Sequence, residues 1–112
     1  MCEKFIGICV GEDQQFWRGG FCSTPQFLIY DYHGNFLEMR PNTTNHFKNE
    51  SLHQYQIATE LLKDCRTIVA FDMSRQCKAR LVEENDIHVF LDDFELEPSE
   101  IAKRFIGKSV CS

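Results

Sequence analysis

The apolar, β-branched run RTIVAF at residues 66–71 lies between two segments with helical spacing, and this arrangement constrains the chain more than any other feature. A strand with a helix on either side enters a sheet through crossover connections, which leave helices on the sheet faces. The segment before it, 51–64, sets Leu52, Tyr55, Ala58, Leu61 and Leu62 on one face. Ser51 with Gln54 three residues on has the form of a capping box at its start. The segment after it, 74–84, predicts a second helix with Ser74 as N-cap and Asn85-Asp86 as its exit.

The flanks complete the pattern. FIGICV at 5–10 reads as a buried strand that stops at Gly11. Residues 11–25 hold three glycines and a proline and read as a long loop. QFLIYDY at 26–32 and FLEMR at 36–40 read as a hairpin about HGN, with Gly34-Asn35 able to take positive φ. Residues 41–50 are polar and irregular. IHVFL at 87–91 is the last predicted strand. Pro98 then suits the first turn of a third helix, whose apolar stripe is Ile101, Ala102, Phe105 and Ile106, with Gly107 as its stop. Three strands followed by helix, strand, helix, strand and helix predict an α/β fold: a mixed sheet covered by helices.

Composition narrows the function. The chain has 112 residues, 43% of them hydrophobic with ten Phe, which suits a single domain over 1–112 with a core of its own. A net charge of −5 argues against nucleic acid as a partner, since phosphate binding needs a surplus of Lys and Arg. No apolar run is long enough to cross a membrane. FIGICV leads straight into GEDQQ and makes a poor signal peptide, so a cytoplasmic location and reduced thiols are expected. The six cysteines, Cys2, Cys9, Cys22, Cys65, Cys77 and Cys111, form no C-x-x-C pair.

FCSTPQFLIYDYHGNFLE, ATELLKDCRTIVAFDM and IHVFLDD together resemble the dinitrogenase iron–molybdenum cofactor biosynthesis family, which includes nitrogenase accessory factor-like domains. The resemblance covers residues 5–107. It implies a ribonuclease H-like fold with a five-stranded mixed sheet, order 3-2-1-4-5, strand 2 antiparallel to the others. It also implies that the chain binds or carries the iron–molybdenum cofactor or another metal–sulfur cluster, and that it meets a metallocofactor assembly or recipient protein. Two departures stand out. Where family members carry His-Phe-Gly, this chain has Gly20-Phe21-Cys22. Their glycine-rich turn after strand 4 reads here Asp72-Met73-Ser74-Arg75-Gln76, then Cys77.

In the implied topology, residues 11–25, 41–50 and 72–76 share the sheet edge where open α/β sheets bind ligands. The candidate metal ligands there are Cys22, His46 and Cys77. Arg18, Ser74 and Arg75 join Cys22 and Cys77 as candidate cofactor-binding residues. Thiolates suit copper(I), zinc and iron–sulfur centres. A helix N-terminus lowers the pKa of a nearby thiol and favours an anionic cluster. Each residue keeps an alternative: Cys77 as helix-face packing, His46 as a solvated imidazole, the arginines as solvated charges. Phe16 and Trp17 cover a pocket or close the loop. Cys9 and Cys65 are expected in or near the core.

A nuclease would need clustered carboxylates, and Asp31, Asp72, Asp92 and Asp93 are expected at different sheet edges. A Cys22–His46 nucleophile pair has no local motif behind it. The expected function is therefore a non-catalytic carrier or scaffold for a metal–sulfur cofactor. A metal-free interaction or regulatory module that has lost the pocket is the alternative.

Overall fold

A computed structural model describes residues 5–43 and 56–107, the side chain of Cys22 apart. Five strands form one sheet: β1 (Phe5–Val10), β2 (Gln26–Tyr30), β3 (Phe36–Pro41), β4 (Cys65–Ala70) and β5 (His88–Leu91). Their order is β3-β2-β1-β4-β5. β2 is antiparallel to both β1 and β3, while β1, β4 and β5 run parallel. The expected order and the reversed second strand are both present. Two helices follow in the second half, α1 (Arg75–Glu84) and α2 (Pro98–Lys103).

Because side chains alternate along a strand, the sheet carries two apolar faces. Cys9, Phe27, Ile29, Ile68, Ala70 and Val89 point to one face, where α1 contributes Cys77 and Leu81. Ile6, Ile8, Val10, Leu28, Tyr30 and Val69 point to the other, where α2 contributes Ile101 and Ala102. Burying each of the larger side chains contributes about 1.5–3 kcal/mol. The middle strand β1 runs from Ile6 to Val10 with almost no exposure. Gly7 fits a close approach there: a Cβ would lie 3.3 Å from Leu62 Cδ2 and 3.4 Å from Cys65 Sγ, so those side chains would have to shift slightly to admit one.

Several boundaries differ from expectation, each for a local reason. β2 stops at Tyr30 because Asp31 turns the chain: its Oδ1 accepts from the His33 and Asn35 N–H groups, both at 2.9 Å. Of the two expected turn residues only Gly34 takes positive φ, at +88°. The start of the predicted helix over 51–64 lies outside the described residues. Its last part, Ile57–Leu61, is π-helical, closed by Leu62 N–H to Ile57 O at 3.2 Å. The wider turn brings Ile57 to the core beside Ala58 and Leu62, and the chain leaves helical geometry before Asp64. Ile106 lies beyond α2 and is half exposed, so the predicted stripe ends at Phe105.

Candidate functional site

The carboxyl ends of β1, β4 and β5 and the beginning of β2 share one rim, and residues 11–25 cross it as a strap. Its first turn is fixed by Gly11 N–H to Gln15 O, 2.9 Å, and by Asp13 Oδ1 accepting from the Gln15 N–H, 3.0 Å. Phe16 bridges back to Val10, is buried, and meets Phe94 edge-on with ring centroids 5.4 Å apart. Trp17 donates its backbone N–H to Cys9 O, 3.0 Å, and its indole N–H to Gly20 O, 3.2 Å. These two aromatics therefore close the loop.

The strap then reaches the exits of the other strands. Gly20 bridges to Asp72 beyond β4, and Phe21 donates its N–H to Asp72 O at 3.0 Å. Arg18 forms an ion pair with Asp93 beyond β5. The chain makes a single 3-10 turn over Phe21–Ser23 and continues to β2. Phe21 is fully buried and packs on Phe27, ring centroids 5.9 Å apart.

Beside this turn α1 begins. Ser74 Oγ accepts the Cys77 backbone N–H at 3.2 Å, which is the expected N-cap. The Ser74 oxygen is thus engaged in capping. Arg75 is exposed on the first turn. Cys77 faces inward: the residue is 3% exposed and packs in the cluster that holds Phe21, Met73 and Leu81. Its burial agrees with the helix-face alternative, and a cargo could reach its sulfur only if the cover moved. Cys22 lies in the 3-10 turn two residues after the Gly20–Asp72 bridge, so its backbone shares the rim with the beginning of α1. The Cys22 side chain and all of His46 lie outside the described residues.

The remaining sequence candidates separate cleanly. Cys9 is buried, and burial pushes its thiol up to about 12, offset only in part by the adjoining Thr24 hydroxyl. Cys65 is buried at the opposite end of the sheet, where burial and then Asp64 push its thiol above the ordinary range. Arg80 pairs with Glu84 one turn away at 2.8 Å. Asp31 occupies the hairpin at the far end, whereas Asp72, Asp92 and Asp93 share the carboxyl rim.

Among the described residues no three His, Cys, Asp or Glu side chains are placed to hold a metal ion. The hollow beside the strap, about 470 Å³, is lined by Glu12, Asp13, Phe16 and Trp17 and is acidic. The rim's cationic part is the beginning of α1 with Arg75. Sequence reasoning missed Phe21 as a plug and Asp93 as the partner of Arg18. The second joins residues 75 apart and left no local signal.

No family model matches the chain, and the curated proteins give no match. Solved structures do. The orange protein from Desulfovibrio gigas, in its apo form, superposes with a TM-score of 0.70 at 13% identity, over 96% of this chain and 91% of that one. The protein PH0822 superposes with a TM-score of 0.65 at 12% identity, over 96% and 94%. At these identities the likeness establishes the shared fold. Among the described residues no helix is long and apolar enough to cross a membrane.

Proposed function

We propose that the chain is a non-catalytic carrier or scaffold for a metal–sulfur cofactor, the iron–molybdenum cofactor or a related cluster, received and released at the carboxyl rim. The observation that carries this reading is the strap crossing, in which the Gly20–Asp72 bridge brings the Cys22 turn next to the N-terminus of α1. A helix N-terminus and an exposed Arg75 suit an anionic cluster held by charge and backbone N–H groups, with Cys22 as its thiolate contact. The described residues alone do not form a ligand set, so His46 and Cys22 would have to complete it. The likeness to a protein whose described form is apo, which implies a loaded counterpart, agrees with a carrier role. Cluster transfer by ligand exchange needs an assembly or recipient protein as partner, and a cytoplasmic setting would keep the thiols reduced.

Two features favour the metal-free interaction module instead: Cys77 is packed in the core, and the turn at 72–76 lacks glycines that would let a bulky cluster approach the backbone. One experiment separates the readings. The protein is purified without oxygen, and metal content and the visible spectrum are recorded before and after iron, sulfide and molybdate are supplied. A carrier develops charge-transfer bands that Cys22→Ser abolishes. A colourless, metal-free protein under all conditions refutes the carrier.

A further inference from the structure

The hollow beside the strap joins an acidic tip to an apolar wall, and the carrier reading uses neither. Glu12 and Asp13 stand exposed on a turn closed by Gly11 N–H to Gln15 O and by Gln14 N–H to Gly11 O, each 2.9 Å. Gln26 Nε2 donates to Gly11 O at 2.9 Å and Asp13 Oδ1 accepts the Gln15 N–H, so the turn is braced from β2 and from within. The wall is Phe16, Trp17 and Pro25. The Trp17 indole is set by its bond to Gly20 O and by the lack of a side chain at Gly19, where a Cβ would lie 2.7 Å from the indole nitrogen. Carboxylate and indole flank one point: a Cβ on Gly11 would sit 3.0 Å from Asp13 Oδ1 and 3.5 Å from Trp17 Cε3. Among the described residues no cationic side chain lines the hollow, and neither Glu12 nor Asp13 forms an ion pair.

We propose that this hollow receives a lysine or arginine side chain of the assembly or recipient protein. A long basic side chain has an apolar stem and a cationic head, and it lays the stem on apolar surface while the head keeps polar company. Here the wall of Phe16, Trp17 and Pro25 takes the stem, and the carboxylates of Glu12 and Asp13 take the head. The volume, about 470 Å³, has room for one such side chain. Charge argues for a protein as its source: an acidic hollow on a chain of net charge −5 steers and orients a basic partner surface. Because the turn and the indole are fixed beforehand, little ordering is left to oppose binding. The inference rests on the carrier reading for which protein docks, and adds how that protein is held.

Titration of the metal-free protein with the tripeptide acetyl-Gly-Lys-Gly-amide tests this, read by the fluorescence of Trp17, the chain's single tryptophan. The fluorescence change saturates, and added salt weakens binding. Nε-acetyl-lysine in place of lysine keeps the stem and removes the charge; diaminopropionate keeps the charge and shortens the stem. Each lowers affinity by about threefold or more. Glu12→Gln and Asp13→Asn each lower it by about two- to fivefold. The first changes an exposed side chain, and the second retains an oxygen to accept the Gln15 N–H, so both variants unfold at the midpoint of the parent. No saturable change, equal affinity for the acetylated peptide, or full affinity in Glu12→Gln overturns the inference. Butylamine bound more tightly than the tripeptide overturns the protein occupant and assigns the hollow to a free amine. The titration needs no metal, so its failure with the cluster bands intact spares the carrier, whereas a colourless protein that binds the lysine peptide refutes the carrier alone.

Discussion

Truncating Phe21 to Ala tests whether the strap is part of the core. Phe21 is fully buried, packs at a tilt against Phe27 and belongs to the core cluster that holds Cys9, Met73 and Cys77. Buried Phe→Ala changes cost about 3–5 kcal/mol, the spread reflecting how far the surroundings collapse. The neighbours here include a strap tied by two backbone bridges, Val10–Phe16 and Gly20–Asp72, which can settle in part, so a loss near 3 kcal/mol is expected. Urea unfolding followed by tryptophan fluorescence and by circular dichroism measures it. With an m-value of about 1.5 kcal/mol/M, that loss lowers the midpoint by about 2 M. Trp17 adjoins the strap bridge, so its fluorescence also shows whether the strap detaches before the sheet unfolds. A loss under about 1 kcal/mol with coincident transitions would refute the view of Phe21 as a plug.

Other predictions concern the rest of the framework. Arg40 holds Asp64 through two bonds of 2.8 Å and reaches Leu61 O at 2.7 Å; Arg40→Met is expected to cost about 2 kcal/mol in urea unfolding. The Arg40 guanidinium lowers the Asp64 pKa, so the pair stabilises the fold above about pH 4 and loses that contribution as pH falls through the depressed folded value; acid unfolding of Arg40→Met should lack this component. Gly34→Ala forces a side chain to φ +88° and sets its Cβ 3.2 Å from Ile106 Cδ1, so thermal unfolding should show a loss of about 1–2 kcal/mol. Ser74→Ala removes the cap of α1 and should cost about 1 kcal/mol, read by the same scan.

The strands were legible because each is an apolar run bounded by glycine or a polar turn, as FIGICV before Gly11 shows. Strand order came with the family likeness, since pairing between β1 and β4 joins segments about sixty residues apart and leaves no local trace. The π-helical turn was hidden because one extra residue in the turn moves Ile57 into the apolar stripe, which the 3.6-residue period had assigned without it. For the site, the shared rim was legible and side-chain direction was not. Cys77 and Leu81 stand four residues apart on one helix face, a spacing that indicates packing as readily as ligation. The sequence offers Arg18 as a cofactor-binding or solvated cation because its partner, Asp93, becomes a neighbour only through folding.

The edge strand β3 leaves Phe36, Leu37 and Met39 substantially exposed, an invitation to aggregation in most sheets. Here a register shift beside Ile29 and Tyr30 distorts the strand near its start, Pro41 removes an amide donor at its end, and the charged side chains of Glu38 and Arg40 flank Met39. A neighbouring chain seeking to extend the sheet would meet a template broken at both ends. The border strand thus combines exposed apolar side chains with features that disfavour edge-to-edge extension of the sheet.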